Sequence, residues 1–226
     1  MKVGRLVYFS TIHTLQQKPF DSALDESRPN IASAKYPPYD RSKAAAEKIM
    51  RQAISDGLNG VIVNPTGIIG PYDYEPSFLG QALILIAKDR FPALVKGGFN
   101  WVDVRDVVTG AMNAGKLAPP GASYLLSGHY VSLKSIADMV GEITGVRIPG
   151  FICPMLPAKM YAPIITSLSR FTGKRPIFTI ASLRALENCN HQISHVKATN
   201  ELSYHPRPIR ETISDTLQWF KANGFL

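Results

Sequence analysis

Tyr39 and Lys43 stand four residues apart in the run Tyr36-Pro-Pro-Tyr39-Asp-Arg-Ser-Lys43-Ala-Ala-Ala-Glu47, a spacing that sets a phenol and an ammonium on one face of a helix. Together they can move a proton. A free tyrosine ionises near pH ~10, whereas a neighbouring cation favours the phenolate and brings it toward the working range of an acid-base catalyst. The spacing selects Tyr39 over Tyr36, whose fourth residue on is Asp40. Pro38 suits the first turn of a helix, where its missing N–H leaves no bond unmade, so the pattern predicts a helix that begins at the candidate. Tyr-x-x-x-Lys is also an ordinary contact on a solvated helix, and the elements around it must decide between the two readings.

Those elements read as alternating strands and helices. Residues 2–11 read as a short buried strand ending in two hydroxyls, Ser10 and Thr11, and residues 60–64 predict a second strand running into Pro65-Thr66-Gly67. Ligands of open α/β sheets sit at the carboxyl ends of the strands. His13, just past the first strand end, is a candidate for a substrate loop, with a plain surface histidine as the alternative. The polar stretch 14–38 is long enough for a lid or binding loop. Helices are expected over 39–55, 76–88, 133–144 and 209–223, and a strand over 122–127. Trp101-Val-Asp-Val-Arg-Asp106 is expected to open a further helix, with Asp103 or Asp106 as its cap. Near residue 150 the chain turns Pro-rich and helical, which divides it into 1–150 and 151–226.

Composition narrows the classes. With 226 residues, 45% of them hydrophobic, the chain can bury a sizeable core. The formal charge of +8 comes from 25 basic and 17 acidic residues scattered without an aromatic-interleaved cluster, which argues for a solvated basic surface and against a nucleic-acid partner. Residues 78–87 are too short to span a membrane, and the apolar stretch 151–171 is broken by Pro154, Pro157, Lys159 and Pro163. The start lacks a signal-peptide pattern, so the cytoplasm is the expected location. Cys153 and Cys189 are too few for a disulfide framework. Cys189, His191 and His195 have spacing suggestive of a metal site but lack a second ligand pair, so no metal is expected.

Ser10-Thr11, the Tyr39/Lys43 pair, Asn64-Pro-Thr-Gly-Ile-Ile-Gly-Pro71, Trp101-Val-Asp-Val-Arg-Asp106, Tyr124-Leu-Leu-Ser-Gly128 and Leu202-Ser-Tyr-His-Pro-Arg-Pro-Ile209, in that order, resemble the extended short-chain dehydrogenase/reductase superfamily. The nearest branch is that of the dihydroflavonol-4-reductase-like proteins and NAD-dependent epimerases/dehydratases. The resemblance implies an α/β fold: the C-terminal part of a Rossmann-like, doubly wound parallel sheet from its fifth strand onward, with a small, mainly helical substrate-binding region. It implies NAD or NADP as cofactor, Thr11, Tyr39 and Lys43 as catalytic residues, and Ser10, Tyr39, Lys43, Pro65, Thr66 and Ile68 against the cofactor. Substrate choice falls to the loops after Thr11 and Gly70, hence His13 and Tyr72. The substrate would be a small carbonyl or alcohol, or a nucleotide sugar if the activity is that of an epimerase/dehydratase. The family's Gly-rich fingerprint, G-x-G-x-x-G, does not occur in these 226 residues. The expectation is therefore a chain inactive alone, acting as a homo-oligomer or with a missing N-terminal half, or else a non-catalytic remnant of the fold.

Overall fold

The computed structural model describes residues 3–172 and 178–226. In chain order they form β1 (Leu6–Phe9), a single 3₁₀ turn (Ile12–Thr14), α1 (Pro38–Ser55), β2 (Gly60–Pro65), β3 (Gly67–Ile69), α2 (Phe78–Ala87), β4 (Leu94–Val95), β5 (Gly98–Asp103) and α3 (Val104–Leu117). Then follow β6 (Ser123–Leu126), β7 (His129–Ser132), α4 (Leu133–Thr144), β8 (Ile152–Cys153), α5 (Met155–Thr172), α6 (Ile180–Glu187), α7 (Val196–Leu202) and α8 (Ile209–Ala222). Contacts gather them into two compact units, one of residues 1–68, 100–129 and 190–207, the other of 69–99, 130–189 and 208–226. A boundary at 150 follows composition. The units follow packing, so each is assembled from three separate stretches of chain.

The first unit is built on a parallel sheet in the order β1-β2-β6, with Phe9 opposite Val63 and Pro65 opposite Leu126. β2 is the central strand and every one of its residues is buried, as a parallel strand covered on both faces requires. Alternation along β6 supplies both faces: Tyr124 and Leu126 join Val61, Val107 and Ala114 under α3 and α7, while Leu125 packs with Ile12, Leu15, Leu24 and Ile193 on the other side. The stretch after β1 is fastened rather than free. Leu15 bridges Asn30 and Leu24 bridges Ile193, and the Arg28 guanidinium donates to the carbonyls of Lys18, Pro19, Ser22 and Ala23.

Two expectations change here. β1 is shorter than the strand expected over 2–11 and is not a buried strand: Leu6 and Phe9 are exposed, because β1 lies at the sheet edge with β2 as its one strand neighbour among the described residues. Trp101, Val102 and Asp103 finish β5 instead of opening a helix. α3 starts only where Asp103 caps it by accepting from the Arg105 N–H at 2.8 Å. Asp106 then takes the Arg207 backbone N–H at 2.8 Å and its guanidinium at 2.8 Å, joining the two motifs at 101–106 and 202–209 into one partly buried charge cluster.

In the second unit α2, α4 and α8 pack together, burying Leu83, Ile86, Ile136, Val140, Ile213 and Phe220. Ser77 caps α2 and Ser132 caps α4 through their hydroxyls, and α4 ends at Gly145 in the left-handed region, φ 78°. Lys159 of α5 pairs with Glu187 of α6 at 2.5 Å. Among the described residues, no helix is long and apolar enough to cross a membrane.

Candidate active site

Because β1 and β2 are parallel neighbours, their carboxyl ends bring Ser10-Thr11 and Pro65-Thr66 to one edge of the first unit. The ladder continues one residue past β1 through Ser10 N–H to Val63 O at 2.8 Å. Thr11 is then the cap of the 3₁₀ turn, its hydroxyl accepting from the His13 N–H at 3.4 Å and its carbonyl from the Thr14 N–H at 3.2 Å. This turn packs against α1. At the start of α1, where Pro38 occupies the first turn as the sequence required, the Tyr39 ring meets His13 edge-on, centroids 6.5 Å apart. Thr11, His13 and Tyr39 thus converge at the strand ends, and Lys43 follows one turn along the same helix face.

Tyr39 is 57% exposed and Lys43 is half-buried. Among the described residues, neither the phenol nor the ammonium has a hydrogen-bond or ion-pair partner, so both are available to a ligand. His13 has its Nδ1 3.9 Å from Asp40. Burial lowers the imidazole's pKa, with the Asp40 carboxylate acting against it. Burial raises the Asp40 carboxyl, with His13 opposing.

The remaining sequence-predicted residues separate by role. Ser10 turns its hydroxyl inward to Glu47 at 2.5 Å, which leaves Thr11 the strand-end hydroxyl beside the turn. Pro65 is buried at the end of β2, and Thr66 Oγ1 donates to Asn100 Oδ1 at 2.9 Å. Asn100 in turn accepts from Gly128 N–H at 2.8 Å. Gly128 admits no side chain, since a Cβ there would stand 2.0 Å from the Trp101 carbonyl oxygen. Ile68 lies in β3 and is 36% exposed. Tyr72 belongs to the second unit, where it adopts φ 73° and sets its ring edge-on to Trp219 at 6.3 Å. His195 directs Nδ1 to the Ser127 hydroxyl at 3.1 Å.

Glu47 is the residue that sequence reasoning passed over. It completes the Tyr39–Lys43–Glu47 face of α1, and its side chain is fully buried. Burial would raise its pKa. Hydrogen bonds from Ser10, Asn30, Thr14 and Arg51 outweigh that and hold the carboxyl below the usual carboxylate range. The one signal available was a charge placed on the helix face that carries Tyr39 and Lys43.

A nicotinamide nucleotide fits part of this arrangement. Among the described residues the Lys43 ammonium and Tyr39 hydroxyl have no partner, as groups left for ribose hydroxyls and a reacting oxygen would be, and the Pro65-Thr66 corner lies buried at the carboxyl end of the neighbouring strand. A pyrophosphate requires a glycine-rich turn at a helix N-terminus, and the sequence has no such fingerprint.

Comparison with known proteins agrees with the fold. Residues 1–124 match the model of the NAD dependent epimerase/dehydratase family. The chain belongs to that family. It is 30% identical over 190 residues to a sterol demethylase protein B of Methylococcus capsulatus, covering 83% of this chain and 58% of that protein. It is 28% identical over 229 residues to a putative dihydroflavonol 4-reductase of Synechocystis sp., covering 99% and 66%. Among solved structures, the crystal structure of gox2253 superposes with a TM-score of 0.82 at 31% identity, over 99% of this chain and 68% of that one. The chain therefore spans 58–66% of the length of these two curated relatives. The fold is Rossmann-like α/β, as its parallel sheet and this superposition show.

Proposed function

We propose that this chain supplies the proton-transfer and substrate part of an NAD(P)-dependent carbonyl reductase of dihydroflavonol-4-reductase type, its small-molecule substrate reduced at a ketone or aldehyde. The observation that carries this reading is the pair Tyr39 and Lys43, on one helix face at the strand ends, with neither polar group used internally among the described residues. When bound, the reduced nicotinamide supplies hydride to the carbonyl carbon. Tyr39 gives its hydroxyl proton to the carbonyl oxygen: the phenolic O–H breaks as the carbinol O–H forms, and the phenolate regains a proton from solvent. Thr11 donates a hydrogen bond to the same oxygen and fixes its position. Lys43 steadies the negative charge that develops on the Tyr39 oxygen and donates to the ribose hydroxyls, which orients the reactants.

Lys43→Ala tests the assignment. In the chain joined to a nucleotide-binding half from a relative, this substitution is expected to lower turnover by roughly 10²-fold, the scale of a lost preorganised donor, and to weaken nucleotide binding as well. The readout is NADH or NADPH oxidation at 340 nm with a panel of ketones. Turnover and nucleotide affinity both unchanged would remove Lys43 from the site.

A further inference from the structure

We infer that Glu47 is a positioning residue: its buried carboxylate clamps the strand-end segment 10–14 onto α1 and so sets Thr11 relative to Tyr39. The functional part of this inference rests on the reading just given, whereas the clamp itself is a matter of geometry. Oε2 receives the Ser10 hydroxyl at 2.5 Å, the Thr14 hydroxyl at 2.8 Å and the Asn64 amide at 3.0 Å. Oε1 receives the Asn30 amide at 3.1 Å and Arg51 through Nη2 at 2.6 Å and Nε at 3.0 Å. One carboxylate thereby joins the end of β1, the 3₁₀ turn, the following loop, β2 and α1.

The link reaches Thr11 directly. The Asn64 amide that donates to Glu47 also lies 3.1 Å from the Thr11 carbonyl oxygen and 3.2 Å from Thr14 Oγ1. The backbone of the strand-end hydroxyl is thus held by a group that Glu47 holds. On the helix side, Glu47 is eight residues from Tyr39, about 12 Å along the axis, so it acts at a distance from the reacting atoms.

Packing alone gives no reason for an anion here. A buried charge is expensive, and a well-packed apolar residue at such a site is commonly as stable or more so. An apolar side chain, however, cannot hold these segments in fixed directions, and hydrogen bonds can. The titratable and charged groups facing the carboxylate are Arg51, on its own helix and 41% exposed, and Tyr8 on β1, whose phenol burial raises, with the Glu47 charge adding to it. Since one partly exposed cation faces it among the described residues, neutral donors carry most of the stabilisation. The depressed ionisation of Glu47 makes its contribution to stability full above the ordinary glutamate value of about 4.3, with loss as pH falls through the lower folded value.

The test is Glu47→Gln in the chain joined to a nucleotide-binding half, with Thr14→Val as a milder variant that keeps shape and deletes one donor. Exchange of the Thr14 and Ile31 amides, which close the turn and the loop, should accelerate by about tenfold or more through local opening, while amides in the middle of α1 keep their protection. Turnover should fall by roughly 10- to 100-fold, the cost of a small misplacement, with substrate KM little changed. Acid unfolding of the Gln variant should lose the pH dependence assigned to Glu47. If Glu47→Gln does not fold, Thr14→Val must show the same two changes at smaller size. Unchanged exchange at Thr14 and Ile31 overturns the clamp. Faster exchange with unchanged turnover, in a protein that Tyr39→Phe inactivates, overturns the positioning role. If Tyr39→Phe stays active the functional reading fails, and exchange still decides the clamp.

Discussion

Tyr39→Phe is expected to lower carbonyl reduction by about 10²- to 10⁴-fold, the range contributed by a well-placed general acid, with little change in stability. The phenol is exposed and bonds to nothing within the described residues, so its removal strands no buried partner and the phenyl ring keeps the edge-on contact with His13. Melting temperatures of the two proteins should agree within about 2 °C, as for surface substitutions that break no internal bond. The loss should appear in kcat rather than in KM, because the proton is needed in the transition state and not for binding. Activity near the parent level would move the acid elsewhere, and His13 with its neighbour Asp40 would be the next pair to test.

The second large effect concerns the nucleotide. The 226-residue chain by itself is expected to hold NADH or NADPH no more tightly than about millimolar, since this lacks the roughly 4 kcal/mol that separates millimolar from micromolar binding. That difference normally comes from a pyrophosphate seated on glycine-rich backbone at a helix N-terminus, and these residues contain no such fingerprint. Under the proposed reading, what they do offer, Lys43, Tyr39 and the Pro65-Thr66 corner, would address one end of the ligand. Joining a nucleotide-binding half should bring the affinity to micromolar in calorimetric titration. Micromolar affinity in the chain alone would mean that some other element of this fold receives the pyrophosphate.

Local chemistry made part of this structure legible in advance. Pro38 and the Tyr39–Lys43 spacing announced where α1 begins, the helix expected over 133–144 matches α4, and the apolar residues 61–63 announced the strand β2. β1 carries a similar apolar run, yet its exposure depends on which strands lie beside it, and that is a property of the sheet. Glu47 was hidden for the same reason. A charged residue on a helix reads as solvent-facing, and its partners Ser10, Thr14, Asn30 and Asn64 lie 37, 33, 17 and 17 residues away. Asp103 and Asp106 were legible as helix-start acids, while their union with Arg207 depends on a contact 101 residues long. The division at 150 marked a real change of composition, but the units interleave because residues 190–207 return to the first of them.

The claim that the strand ends and α1 form a hydride-transfer centre with Tyr39 as its acid is tested most directly by isotope transfer. The chain joined to a nucleotide-binding half is given NADPH or NADH deuterated at C4 of the nicotinamide, with a ketone panel and nucleotide sugars, and products are examined by mass spectrometry. Deuterium should appear at the carbinol carbon of a ketone-derived product, at a rate that Tyr39→Phe lowers by about 10²-fold or more. Equal rates of deuterium transfer in the parent and Tyr39→Phe proteins would contradict the account, as would a protein that binds the nucleotide and transfers deuterium to no carbonyl.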